Sequence, residues 1–417
     1  MHSLTLRAVT VALVGLCPLV AGAAADDTAA LRSQLAALIE RVERLEQQLA
    51  EAESTNERQT DQLAQASVAA RAASWAEKIR FAGDFRYRHE LIDEDGRQER
   101  QRQRIRARFG LTAQVGESLT AGLRIATGGV SENRSTNATL GDANARKDLE
   151  LDLGYLTWKP RDDLSLTLGK QVYPWFRPGS SFLYDSDSNP EGMALAWSGS
   201  SGAFANAWGF WLSESGSAAE GNVSGLQVGW RGRSGLTVAA SFHDYAALQG
   251  RSLAFSGYPA GISTYAGERL CVPVATDVAV ARCYSDDYEI LGLAVQYEAS
   301  VGEWPLQLWA DSVQNLAVER LDSGFNLGAR LGRASSPGSW ELALVYQDVE
   351  ADAQWGGFID SDFAGGDTQG RGWRLQGGWV PTRNALLQFT WIDSTRAVDL
   401  PAQRDYQRLQ LDFSMKF

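Results

Sequence analysis

The 417-residue chain is poor in the side chains that build most catalytic and metal sites. Histidine, cysteine and methionine occur three times each. Past the N-terminal segment the histidines are His89 and His243, and no Ser/His/acid set has motif spacing, which argues against an enzyme. A cationic excess is missing too. The chain holds 39 Lys+Arg against 51 Asp+Glu, a net charge of −12, and this removes broad binding to nucleic-acid phosphates. No apolar run beyond the first two dozen residues approaches the ~20 that a membrane-spanning helix needs. If the chain crosses a membrane, it does so without helices. Proline is scarce (11), whereas glycine (41) and tryptophan (14) are plentiful, a balance that fits an all-β chain with many turns.

The start, "MHSLTLRAVTVALVGLCPLVAGAAADD", has Arg7 before an apolar core from Ala8 to Val20, and small residues come after it. This pattern predicts a secretory signal peptide over residues 1–25. Bulky Leu16 before Cys17 is a poor fit to a lipidation site. Export leaves Cys271 and Cys283, whose proximity in an oxidising compartment predicts a loop-closing disulfide, with two free thiols as the alternative.

Residues 26–74 are a different material from the rest of the chain. From Leu31 to Ala73 there is no glycine or proline, and a heptad seam places Leu35, Val42, Leu49 and Asn56 at a. The d positions include Leu38 and Leu45. This predicts a short oligomerising coiled coil, with Asn56 setting register and strand number at a cost in stability. A single amphipathic helix lying on its own partner domain is the alternative.

From Trp75 the period falls to two. "KIRFAGDFRYRHEL" puts Ile79, Phe81, Phe85, Tyr87 and Leu91 on one face and Arg80, Asp84, Arg86, Arg88 and Glu90 on the other. In "QRQRIRARFGLTAQVG", Arg102, Arg104, Arg106 and Arg108 alternate with apolar or neutral residues. "LTAGLRI" carries Arg124 on its polar face, and "DLELDLGY" sets Leu149, Leu151, Leu153 and Tyr155 against Asp148, Glu150 and Asp152. Such alternation means strands with one apolar and one polar face. Tight connections take turns with long polar ones, among them 127–147, 171–192, 246–287 and 350–370. That asymmetry, over about 16 strands, predicts an all-β fold: a transmembrane antiparallel up-and-down β-barrel over residues 75–417. Runs of charge cannot fill a dry interior, so the polar face lines a watery lumen and the apolar face meets lipid. Tyr155, Trp158, Trp340, Trp379 and Trp391 are candidates for the aromatic girdles.

The layout, with "RQRIRARFGL", "STNATLGD", "WFRPG" and "DSDSNPEG", resembles the putative porins of Gram-negative bacteria, over essentially everything after Trp75. The last strand, "YQRLQLDFSMKF", resembles the C-terminal signal by which outer-membrane proteins engage the barrel-assembly machinery, with Phe417 as its terminal residue. The resemblance implies a passive diffusion channel in the outer membrane, a homotrimer, with no cofactor. The Cys271/Cys283 loop is not part of that family pattern.

The candidate pore lining is therefore Arg86, Arg88, Arg102, Arg104, Arg106, Arg108 and Arg124, with Asp148, Glu150 and Asp152 as a negative patch. Inward side chains on one strand sit about 6.8 Å apart, a spacing that unpaired guanidinium groups tolerate only facing water. The third long loop, carrying Arg177, Asp185, Asp187 and Glu191, is the candidate constriction, and acids on it facing the arginines would set a transverse field. An arginine wall favours anions, unless the acids only brace it. "QVYPWFRPG" is a candidate sugar slide in a substrate-specific channel. "DEDG" at Asp93 and the acids Asp360, Asp362 and Asp367 lack calcium-loop spacing and are expected in solvated external loops, so no metal site is assigned. A competing reading keeps the barrel as an anchor, with the coiled coil as a periplasmic tether to the cell wall.

Overall fold

The structure is a computed structural model that describes residues 25–129, 133–181, 183–214, 221–246, 248–249, 268–271, 281–284, 286–399 and 403–417. Within these, the side chains of 25–30, 66–76, 268–271 and 281–283 are left aside. The signal-peptide segment thus lies outside the described residues, and so do the side chains of Cys271 and Cys283. The chain divides after Ala76 into two compact units.

The first unit is the helix α1, Ala25–Ala76. The lack of glycine and proline lets it run unbroken, and its heptad seam is exposed among the described residues. Leu35 and Leu49 are each 61% exposed, and Leu38, Val42 and Leu45 are exposed beside them.

The second unit is a closed barrel of 16 antiparallel strands. Its first eight are β1 (Ile79–Glu94), β2 (Arg100–Gln114), β3 (Leu119–Thr127), β4 (Leu149–Arg161), β5 (Leu164–Lys170), β6 (Glu191–Ser198), β7 (Ala203–Ser213) and β8 (Gly221–Arg231). The rest are β9 (Leu236–Ala246), β10 (Tyr288–Val301), β11 (Trp304–Asn315), β12 (Ser323–Gly332), β13 (Trp340–Val349), β14 (Gly370–Trp379), β15 (Ala385–Arg396) and β16 (Arg404–Lys416). Each strand pairs with its neighbours in sequence, and β16 pairs with β1 to close the ring. A two-residue piece, Ala138–Thr139, extends the sheet beside the upper part of β2. A separate hairpin pairs Glu268–Cys271 with Ala281–Tyr284, setting Cys283 opposite Arg269 and Cys271 opposite Ala281.

Period-two alternation explains the two faces. Phe85, Tyr87, Phe109, Leu291, Leu293, Leu342, Leu344, Phe389 and Leu411 are exposed on the outside. A charge there would cost about 2–4 kcal/mol at the middle of a bilayer, and the apolar choice avoids that cost. Trp158, Trp340 and Trp379 are exposed near strand ends, as girdle residues would be, whereas Trp391, expected with them, is exposed at the middle of β15, opposite Leu375 and Leu409.

One strand breaks its own pattern. The β3–β4 register shifts between Arg124 and Ile125, where Asp152 is left as the extra residue of a bulge. Past the bulge the alternation inverts, so Leu153 is buried and Tyr155 lies across Gly122, opposite it in register. Leu153 and Tyr155 therefore face inward, and the expectation that they join the outer apolar face is corrected.

The closing seam is tight. Phe417 N donates to Gly83 O and Gly83 N to Phe417 O, at 3.1 and 2.9 Å. A Cβ on Gly83 would come within 2.6 Å of the Phe417 ring, so glycine is required at this position.

Candidate functional site

The barrel is not an open tube, because residues 171–190, between β5 and β6, fold into it. Phe176 N donates to Gln227 Oε1 on β8 and Gly179 N to Gln296 Oε1 on β10, at 2.7 and 2.9 Å. Ser181 Oγ donates to Asp311 on β11, Arg374 on β14 donates to Ser180 O, and Thr136 Oγ1 donates to Asp187 Oδ2. One segment touching strands so far apart around a closed ring must cross its interior. Gly179 permits the crossing, since its φ is +51° and a Cβ would fall within 2.5 Å of the Trp309 ring.

Residues 350–369, between β13 and β14, fold inward as well and lock onto the first loop. Asp185 N donates to Phe358 O at 2.6 Å, Ser361 N donates to Asp185 Oδ2 at 2.8 Å, and Gln354 Nε2 donates to Leu183 O. Arg134, from the loop after β3, donates to Gly356 O, Ile359 O and Gly366 O. Three loops thus form one interlocked body inside the barrel.

Chemically the lumen has two halves. Against β7–β11 the loops bury an aromatic core. Tyr173, Trp175, Tyr184, Trp355 and Phe358 pack with Trp208, Phe210, Tyr245, Tyr288 and Ile290. His243 lies within it, its Nε2 3.0 Å from Tyr184 Oη and its ring edge-on to Trp175. The expectation of a polar inner face fails on these strands, because apolar loop side chains replace water there. The sugar-slide reading fails with it: Tyr173 and Trp175 are buried anchors of the loop.

Against β16, β1 and β2 the lumen is ionic. Registration puts Arg86 opposite Arg106 and Arg88 opposite Arg104, two like-charged cross-strand pairs that are unfavourable unless acids intervene. Arg88 holds Asp412 through two bonds of 2.7 and 2.8 Å, Arg102 holds Glu90, and Arg106 and Arg108 share Asp84. The loops bring further carboxylates. Asp362 lies 3.1 Å from Arg88 and 2.7 Å from Arg408, and Asp187 lies 3.6 Å from Arg108 and 3.9 Å from Arg106. Arg86 and Arg104 are left with amide and hydroxyl partners, Asn137 and Ser135, and with Asp412 no nearer than 3.8 Å to Arg86. Their buried Nε atoms have no hydrogen-bond partner.

Between this wall and the loops lies a polar cavity of about 580 Å³. Its loop carboxylates are unequal. Burial, then Asp360 and Asp187, push the Asp185 carboxyl well above its ordinary value. Burial opposes the charge on Asp187 too, but Arg106, Arg86 and Arg108 bring it below the usual range. Asp362 is held well below that range by Arg408 and Arg88, again against burial. Asp360 is raised by burial and by Asp362. Asp367, buried beside Arg396, is pushed up to about 6 by burial.

The residues proposed from sequence fall into three groups. Arg86, Arg88, Arg102, Arg104, Arg106 and Arg108 lie together on one inner wall, and Asp187 meets it. Asp152 pairs with Arg124 and accepts from Asn189 at 2.6 Å, a separate site one strand further on, with Glu150 beside it. Asp148 precedes β4 and is exposed. Asp185 braces the loop pair instead of facing the arginines. Arg177 stands over the Tyr173 ring at 4.8 Å and donates to Tyr184 O. Glu191 is not a constriction residue: the loop has ended, and Glu191 opens β6, paired with Lys170 at 2.8 Å and 63% exposed. The expected solvation of Asp360, Asp362 and Asp367 is likewise corrected, since all three are drawn inward. The sequence held a signal for this. "ADAQWGGFIDSDFAGG" is too apolar for a solvated loop, and Trp355, Phe358, Ile359 and Phe363 are all buried. The alternation of β16 also places Arg408, Gln410 and Asp412 on the inner face.

A closed barrel with an apolar belt, charged lumen and in-folded loops is a porin-like outer-membrane β-barrel. The chain belongs to the family described as "Putative porin", which matches residues 92–255 and 286–417. Among solved structures, Pseudomonas putida OprB in a high-pH form is similar with a TM-score of 0.56 at 11% identity, over 84% of this chain and 96% of that chain. At that identity the likeness is one of fold. Salmonella typhi OmpF in complex with daunomycin matches at TM-score 0.49 and 12% identity, over 81% and 97% of the two chains. No curated protein matches the chain.

Proposed function

We propose that the protein is a passive diffusion channel for small hydrophilic solutes across the outer membrane, narrowest at the arginine wall, with a preference for anions. The observation that carries this is the charge inventory there. Seven guanidinium groups (Arg86, Arg88, Arg102, Arg104, Arg106, Arg108, Arg408) meet five carboxylates, Asp84, Glu90, Asp412, Asp187 and Asp362. The wall thus keeps a positive excess at Arg86 and Arg104, which raises local anion concentration in a narrow polar passage. Planar-bilayer recording under a salt gradient tests the reading. Expected is a stable conductance with a reversal potential of anionic sign, moved toward zero by Arg104→Gln. A cationic sign overturns the preference, and absence of conductance from refolded protein overturns the channel.

The remaining organisation belongs to the same proposal. Residues 1–25 are removed on export, residues 26–74 lie in the periplasm, and three copies assemble through the helical seam. The unbroken helix with an exposed a/d stripe supports this, since pairing with copies of itself buries such a stripe. Neither the conduction path nor the barrel chemistry calls for an enzymatic step.

A further inference from the structure

The 580 Å³ cavity has more chemistry than charge selection needs. Six guanidinium groups line it (Arg86, Arg88, Arg106, Arg134, Arg177 and Arg374), against the four carboxylates Asp185, Asp187, Asp360 and Asp362. Those carboxylates are already engaged. Asp187 and Asp362 sit among wall arginines, while Asp185 accepts from the N–H groups of Asp187 and Ser361, and Asp360 from those of Asp362 and Phe363. Two of the arginines have the weakest anionic partners: Arg86 only a long ion pair that shares Asp412 with Arg88, and Arg177 none among the described residues. Arg86 has Nη2 on Asn137 and Nη1 3.8 Å from Asp412. Arg177 donates to one carbonyl and has no carboxylate within ion-pair distance among the described residues.

The rest of the lining is neutral and rich in hydrogen-bonding groups: Ser180, Ser186, Ser361, Thr390, Gln376 and Gln388. Phe176 adds ring surface at one side, while Trp175 behind it stays packed in the aromatic core. Ser180 Oγ already accepts from Arg330, Ser361 Oγ donates to Arg134 O and Gln388 donates to Thr390, but each keeps further donor or acceptor capacity. A bare anion such as phosphate would satisfy the guanidinium groups and leave that capacity, with Ser186 and Gln376, unused. A neutral polyol would do the reverse and leave two charges uncompensated. The volume lies within the roughly 300–1,000 Å³ typical of small-molecule sites.

We propose that this cavity is a binding site within the pore for a small hydroxylated carboxylate of monosaccharide size. Its carboxylate would be taken by Arg86 and Arg177 and its hydroxyls by the serine, threonine and glutamine side chains. The inference rests on the channel reading and narrows it from anions in general to a class of permeant. A charge-assisted guanidinium–carboxylate contact holds the acid group, and the neutral lining discriminates among acids.

The test uses the full-length protein in planar bilayers bathed in KCl, with potassium gluconate, glucose or inorganic phosphate added. Expected is a saturable block of chloride current by millimolar gluconate, with neither glucose nor phosphate blocking at the same concentration. Arg86→Gln should raise the half-blocking concentration at least tenfold, read as the blocked fraction of that variant's own open-channel current, and Arg86→Lys should restore part of the block. Equal block by glucose or by phosphate overturns the proposal, as does a gluconate block indifferent to both Arg86→Gln and Arg177→Gln. If the protein conducts nothing, the channel reading fails by itself. Titration calorimetry of the detergent-solubilised protein with gluconate then reads the site directly. Binding lost in Arg177→Gln or Arg86→Gln upholds the site, and absence of binding to the parent overturns it.

Discussion

Asp362 is a single carboxylate on a loop, yet it faces guanidinium groups from both sides of the β16–β1 seam, Arg408 and Arg88. Removing its charge leaves two largely buried cations short of a partner. Breaking a fully buried pair costs about 3–5 kcal/mol; with a quarter of the Asp362 side chain exposed, about 2 kcal/mol is the expected loss for Asp362→Asn. The same variant should raise the anion-to-cation permeability ratio, read from the reversal potential. Asp367 acts with pH. Its folded carboxyl titrates at about 6, against about 4 for an unfolded aspartate, so the folded loop holds the proton more tightly. That contribution is full below about pH 4 and is lost as pH rises through about 6. Hydrogen-exchange protection of residues 360–369, corrected for intrinsic rates, should therefore fall between pH 5 and pH 7.5. Asp367→Asn should flatten the profile.

Among the elements, the in-folded loops differ most from what their sequences suggested. Trp175 is only 5% exposed and packs on Trp208 at a ring separation of 4.6 Å. Trp175→Ala should cost about 3–5 kcal/mol and release the loop, read as a lower melting temperature and a noisier, larger conductance. Strands were legible because a period of two survives in any sheet with two different faces, and Arg102 to Arg108 display it without interruption. The β4 bulge was not legible. One extra residue inverts every later side chain, and "DLELDLGY" looks regular until its partner strand is known. β7 hid its inner face for a different reason. Phe204, Trp208 and Phe210 face inward because loop aromatics from elsewhere in the chain cover them, and alternation carries no record of that. The arginine wall and its nearest acids, Asp84 and Glu90, were visible from two adjacent strands, whereas the counter-charges of Arg88 come from Asp362 and Asp412, hundreds of residues away.

On the scale of the whole molecule, the helix is a long segment whose apolar stripe is uncovered, and Asn56 sits on the seam. Asn56→Leu should strengthen association between copies and loosen the choice of oligomer number, visible as additional species on chemical cross-linking of the full-length protein. The barrel makes a different demand. Its seam joins Arg88 to Asp412 across 324 positions of chain, one of the longest-range contacts in the ion-pair network. Loop-closure entropy and topology make such a contact late in folding. Until it forms, β1 and β16 each present a row of unpaired N–H and C=O groups able to recruit any passing strand. The guanidinium–carboxylate pair across that seam thus works as a latch on a late step. Arg88→Met should lengthen the lifetime of the open-edged intermediate and increase its loss to aggregation, even where the finished barrel is nearly as stable.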